Sequence, residues 1–300
     1  MVKRLLSASS SELLKMNGKE LAQSIKASEG RTVLSENVVV QPAPDGLTMS
    51  EIVAAFGADL LLLNLFNVFD PQVCGLDVND PDDTVKRLQE LTGRPIGVNL
   101  EPVDSDAKME STKFKLPEGR IATAKSMKKA EELSFSFVCF TGNPGSGVTN
   151  RMIVEAVKTA KANFSGMIII AGKMHGAGVD EPVADEESVK DMIDAGADVI
   201  LTPAVGTVPG FTSDELIKIV KLVHAHNGLV MSTIGTSQEG AGRDVIREIA
   251  LKNKICGVDI QHIGDAGWGV VPPTEKIFEL SNAIRGLRHT IARMARSINR

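Results

Sequence analysis

The stretch that decides the fold is residues 229–271, LVMSTIGTSQEGAGRDVIREIALKNKICGVDIQHIGDAGWGVV. Its apolar start, Leu229-Val230-Met231, predicts a buried strand that ends in Ser232 and Thr233. A Gly-rich turn, 235–242, follows. Val245, Ile246, Ile249 and Ala250 then draw the apolar stripe of a helix. Residues 256–260 predict a second strand, running into Gln261-His262 and a second Gly-rich turn, 264–269. Strand, polar tip, helix, strand, polar tip is a βαβ unit with its chemistry at the carboxyl ends of its strands.

Outward from there the layout repeats. Apolar strands are predicted over 32–36, 59–63, 95–100, 135–140, 167–171 and 198–201. The continuous apolar run Leu60-Leu61-Leu62-Leu63 is that of a strand buried on both faces. Helices are expected over 50–56, 84–91, 120–132, 185–195, from Thr149, from Thr212 or Ser213 to about His226, and from beyond Pro272-Pro273 to the C-terminus. The tag Gly-Ala-Asp stands before two of the strands (57–59 and 196–198) and marks a helix stop feeding a strand. Eight alternating units in 300 residues predict one α/β domain, a (β/α)8 TIM barrel over 1–300. A leading helical segment (1–30, helix from about Ser9 to Ser28) and a basic C-terminal helix (272–300) are added to it.

Composition narrows the partners. The net charge of −5 gives no reason to expect nucleic acid. No apolar run approaches the roughly 20 residues that span a bilayer, and the N-terminus has no apolar signal region, so no membrane is expected and the protein reads as cytoplasmic. Cys74, Cys139 and Cys256 are far apart and form no CxxC, which suits thiols in a reducing compartment.

In a barrel the polar strand tips converge on one mouth, here Asn64, Asn99, Thr141, Asn143, Thr202, Ser232, Thr233 and Gln261 together with the charged residues that follow. Lys173 and His175 follow the fifth strand, Glu36 the first and Glu101 the third; these are the candidate catalytic residues, the lysine as Schiff-base or general-base amine and the histidine as its acid–base partner. An ion pair with Glu36, Glu101 or Asp259 and a clamp on a charged substrate are the alternative readings of Lys173. Glu101, Asp259 and His262 are candidate ligands for a divalent metal, Mg or Mn. The segment 142–149, GNPGSGVT, looks like a phosphate loop but has Val148 where the lysine belongs, so no nucleotide triphosphatase is expected. What survives is main-chain anion binding at Gly145, Ser146 and Gly147, at Gly235, Thr236 and Ser237, and at Gly264 and Gly267. The loop 102–119, long and charged, is a candidate lid. Arg285, Arg288, His289, Arg293, Arg296 and Arg300 recur at helical steps and predict a basic surface stripe, solvated or in a homo-oligomer contact.

The phrases VNLEPV (98–103), FTGNPGSGVTN (140–150), IGTSQEGAG (234–242), DIQHIGDAG (259–267) and RGLRHTIARMARS (285–297) resemble an uncharacterised bacterial barrel family labelled phosphoenolpyruvate-phosphonomutase-like or haloacid-dehalogenase-like. The Lys-Lys-Cys-Gly-His-type loop of the phosphonomutase group and the Asp-x-Asp-Gly motif of the dehalogenases are both missing here. The resemblance therefore implies the barrel and a bacterial soluble protein. The functional expectation is a lyase or isomerase acting on a small phosphorylated or carboxylated metabolite, with a non-catalytic anion-binding barrel of regulatory or scaffolding role as the alternative.

Overall fold

A computed structural model describes residues 2–164, 166–264 and 274–300. Its elements in chain order are α1 (Ser10–Leu13), α2 (Gly18–Lys26), β1 (Thr32–Val38), α3 (Met49–Ala55), β2 (Leu60–Asn64), α4 (Thr84–Thr92), β3 (Ile96–Leu100), α5 (Ala124–Glu132), β4 (Phe137–Phe140), α6 (Asn150–Asn163), β5 (Ile168–Gly172), α7 (Glu186–Ala195), β6 (Val199–Pro203), α8 (Ser213–Ala225), β7 (Leu229–Ile234), α9 (Arg243–Cys256), β8 (Ile260–Ile263) and α10 (Thr274–Ala295). The eight strands are parallel and close in sequence order, β1 pairing with β8. The expected TIM barrel is the observed fold.

Period-2 alternation divides each strand between two cores. Leu34, Leu60, Phe137, Ile168, Val199, Leu229 and Ile260 fill the barrel interior. Their neighbours Val33, Leu61, Val138, Ile169, Ile200 and Val230 pack outward against the helices. Gly97 is an inward position whose missing side chain makes room for the Phe137 ring; a Cβ there would lie 2.1 Å from it. The leading segment is two helices rather than one, because Asn17 and Glu20 form a capping box that restarts the chain at Gly18. Leu5, Leu13, Leu21 and Ile25 pack with the interior cluster and plug the barrel bottom.

The bottom is organised by aspartates. Asp59 accepts the Val33 N–H at 2.8 Å while its own N–H donates to Val33 O. Asp198 does the same with Ile169, and Asp259 with Val230. Each clasp locks one strand to the start of another. The third clasp belongs to a third tag, Gly257-Val258-Asp259, and it corrects the expected eighth strand. Residues 253–256 are the last turn of α9, stopped by Gly257 in the left-handed region, and β8 starts four residues later than read.

The basic stripe is corrected as well. Arg285 and Arg293 are buried, and both reach Asp59: Arg285 Nη1 at 2.5 Å and Arg293 Nε in a 2.7 Å ion-pair contact. On an unbroken helix these residues, eight apart, would stand about 12 Å from each other. Gly286 (φ 73°, ψ 164°) breaks α10 between them, and the Ser281 and Thr290 hydroxyls meet at 2.7 Å across the break. Arg288 stays exposed beside His289 and Arg300 is exposed at the terminus, whereas Arg296 reaches back to Ala8 O.

Asp59→Asn leaves two buried guanidinium groups without their anion, so a loss of about 3–5 kcal/mol in urea unfolding is expected. Burial alone would raise the Asp59 pKa; Arg285 and then Arg293 outweigh it and hold it below the usual value. A carboxylate with a lowered folded pKa stabilises fully above its unfolded pKa of about 3.9 and loses that contribution as pH falls through the folded value. The stability gap between wild type and variant should therefore be flat near neutrality and close in acid.

Candidate functional site

A cavity of about 590 Å³ opens at the carboxyl ends of the strands. Its lining combines inward positions near the ends of four strands, Glu36, Asn64, Asn99 and Thr141, with the loops after β4, β5 and β7 and with Gly264 beyond β8. Glu36 is held from the side by His262, whose Nε2 lies 2.8 Å from Glu36 Oε2. A carboxylate only accepts, which assigns the imidazole proton to Nε2. Register brings the pair together: β8 aligns His262 with Leu34, one inward position below Glu36. Asn64 and Asn143 exchange two amide hydrogen bonds (2.9 and 3.0 Å), and Asn99 donates to Asn64 Oδ1 at 3.3 Å.

His175 stands on the loop after β5. Its Nδ1 accepts the Ala177 N–H at 3.0 Å, so Nε2 is the nitrogen left for a ligand. Burial lowers its pKa, against the pull of the Glu36 charge, and Lys173 lowers it further.

Lys173 does not enter the mouth. Ile169 and Ala171 face outward, and Lys173 continues that row. Its ammonium is paired with Glu181, a partner on the far side of the same loop, with the lysine side chain fully buried and Glu181 23% exposed. The lysine is ion-paired, but with Glu181 and not, as expected, with Glu36, Glu101 or Asp259. Burial lowers the lysine's pKa while the Glu181 hydrogen bond raises it. Glu101 is also committed: Oε1 takes Arg120 Nη2 at 2.6 Å and Oε2 the Asn143 N–H at 2.9 Å, bracing the β3 loop to the β4 loop.

The candidate metal set is not assembled. Asp259 lies at the opposite end of the barrel on Val230 N and His224, Glu101 is braced by Arg120, and His262 faces Glu36. Among the described residues no three His, Cys, Asp or Glu side chains are grouped as a metal site.

The anion loops divide similarly. Ser146 N–H and Oγ–H both donate to Asn143 O, Gly147 N–H donates to Ala177 O, and Gly264 N–H to Ile234 O. The N-terminus of α6 is occupied by the chain's own acid, since Glu181 Oε1 accepts Asn150 N–H at 2.6 Å. Gly145 lines the mouth. Gly235, Thr236 and Ser237 line it too, with Thr236 and Ser237 both at positive φ (57° and 70°). Gly267 lies outside the described residues.

Asn64, Asn99 and Asn143 were expected at the mouth as strand tips but were given no role, and Glu239, buried there, was not expected. Their signal was available for the asparagines: polar residues at the inward parity of a strand end. The segment 102–119 is built into the rim rather than hanging free, with Glu110 N–H on Gly178 O and Phe114 N–H on Gly145 O, and Glu110 and Ser111 line the cavity.

Lys173→Met removes the partner of a carboxylate that still holds Asn150 N–H and can turn toward water. A stability loss of about 1–3 kcal/mol is expected, below that of a fully buried pair, with any turnover retained. For His175, the Nε2 resonance should titrate below the ordinary histidine value of about 6.5, because burial disfavours the imidazolium; titration at or above that value in a nitrogen-detected NMR series would contradict the placement.

A family model matches residues 6–300 of the chain, over nearly its whole length. No curated protein matches it by sequence. Among solved structures it is similar to thiamine phosphate pyrophosphorylase from Pyrococcus furiosus, at 14% identity and a TM-score of 0.50, covering 86% of this chain and 97% of that one. It is also similar to the Amycolatopsis orientalis BexX/CysO complex, at 10% identity and 0.51, covering 86% and 89%. A third likeness is 2,3-dimethylmalate lyase, a member of the PEP mutase/isocitrate lyase superfamily, at 12% identity and 0.50, covering 83% and 81%. The expected kinship with the phosphonomutase group thus returns as a likeness of fold. No helix among the described residues is long and apolar enough to cross a membrane. By its match over residues 6–300, the chain belongs to the family described as Domain of unknown function (DUF7916).

Proposed function

We propose that the chain is an enzyme of the lyase or isomerase type that moves a proton on a small metabolite held in the barrel mouth. The observation that carries this reading is the Glu36–His262 pair at the floor of the cavity. A carboxylate oriented by an imidazole, on rigid strands and away from bulk water, has the form of a general base. It takes a proton from a carbon next to a carbonyl. His175 Nε2, across the mouth, is the partner that exchanges a proton with the oxygen. The amides of Asn64, Asn99 and Asn143 give the substrate's oxygens neutral hydrogen-bonding partners.

The phosphate or carboxylate of such a metabolite has its place at the rim, on the 235–237 turn. There the N–H groups of Thr236 and Ser237 take no main-chain partner among the described residues, and the Thr236 hydroxyl is tied to Thr207 O. The α6 terminus is excluded as that place, because Glu181 fills it.

Proton transfer can be read without knowing the net reaction. Sugar phosphates, hydroxy acids and keto acids incubated with the protein in D2O should include one whose C–H signal is lost at a rate set by enzyme concentration. Glu36→Gln keeps the shape and the His262 contact but not the basicity, and exchange should fall by about 10²–10⁴ with little change in melting temperature. Compounds that bind without any exchange would establish the non-catalytic barrel instead.

A further inference from the structure

We propose that the part of the ligand that enters the mouth floor is an uncharged, hydroxyl-bearing chain, as in a polyol or the open form of a sugar, and not the anionic group. This rests on the mouth being a substrate site and adds the chemical class of what it holds.

Two observations carry it. The first is charge. The described residues lining the cavity include Glu36 and Glu110 and neither lysine nor arginine. The nearby cations are taken up elsewhere: Lys173 by Glu181, Arg120 by Glu101. A carboxylate or phosphate driven to this floor would meet like charge in a low dielectric.

The second is the state of two buried groups. Asn99 is 3% exposed and Thr141 1%, and both line the cavity. The Asn99 carbonyl oxygen and the Thr141 hydroxyl have no hydrogen-bond partner among the described residues. Asn99 gives one N–H to Asn64, which leaves its second N–H and its carbonyl oxygen for a ligand. Glu36 likewise offers an acceptor, and Thr141 offers either role. The floor therefore asks its ligand for donors that also accept. Successive hydroxyls meet that demand. An ammonium donates but cannot accept the second Asn99 N–H, and a carboxylate cannot donate at all.

Groups left without partners inside a protein cost stability, so the same feature has a signature in the free protein. Thr141→Val replaces the hydroxyl by a methyl of the same shape, and its melting temperature should equal or exceed that of the wild type. A clear drop would show that the hydroxyl serves the fold and would overturn the assignment. Thr141→Ser keeps the hydroxyl and serves as the control for packing.

Binding is read by saturation-transfer NMR on three four-carbon probes: erythritol, succinate and 1,4-diaminobutane. Erythritol should give transfer with the wild type and Thr141→Ser, and weaken about fivefold with Thr141→Val, the worth of one neutral hydrogen bond. Preference for succinate would overturn the proposal, and preference for the diamine would replace hydroxyls by a cation. Erythritol binding insensitive to Thr141→Val would place the polyol outside the floor and also overturn it. Deuterium exchange on a non-hydroxylated substrate, with no erythritol binding, would refute this inference while leaving the proton-transfer reading intact.

Discussion

The aspartate clasp at the foot of the barrel is the interaction on which the site depends. A backbone N–H gripped by a carboxylate, with the amide of that aspartate returning the bond, fixes where one strand begins against its neighbour. In a sheet with a two-residue period, a slip of one position would turn every inward side chain outward. The Asp259 clasp sets β8 on β7 so that His262 falls on the inward row, and the β1–β8 register then puts it under Glu36. A carboxylate some four residues below the mouth thus determines the only ionisable pair at its floor among the described residues.

The same residue type has opposite fates at the two ends. At the bottom, Asp59 is fully buried and neutralised by two arginines from α10, brought within reach by the break at Gly286. Around the upper loops, Glu101, Asp104 and Glu181 are matched with Arg120, Arg151 and Lys173. These pairs brace the loops after β3, β4 and β5 against one another and give the mouth fixed walls. Inside the mouth Glu36 faces amide, hydroxyl and imidazole instead. Preorganised walls around such an interior suit a site whose electrostatics are completed by a ligand.

How much of this was legible follows from which information is local. The barrel was: continuous apolar runs, helical stripes and Gly-Ala-Asp tags repeat along the chain and need no tertiary knowledge. Glu36, His175 and His262 were legible as strand-end polar residues. The rest turned on facts that spacing does not hold. Ile255-Cys256 is apolar enough to start a strand, yet it ends α9, and only Gly257 as the cap tells the two apart. Arginines at helical steps look alike whether they face water or a buried aspartate, and the decisive Asp59 is 226 residues away from Arg285. Lys173 is next to an inward glycine and two residues before a mouth histidine, but strand parity turns it outward, to Glu181.

The phosphate-loop lookalike shows how local resemblance and tertiary chemistry part. Glycines, a turn and a capped helix start are all present at 142–150, and the free donors of such a helix start favour an anion. The chain supplies that anion itself. Glu181, thirty-one residues beyond Asn150, lies on its N–H and carries Lys173 with it. An internal carboxylate held by the α6 terminus and a buried ammonium is a brace, and it keeps Lys173 out of the mouth. Among the buried polar atoms left without a partner are two at the floor, the Asn99 carbonyl oxygen and the Thr141 hydroxyl, beside the Glu36–His262 pair. An unmatched buried group costs stability, and at the floor of a cavity a ligand can offset that cost.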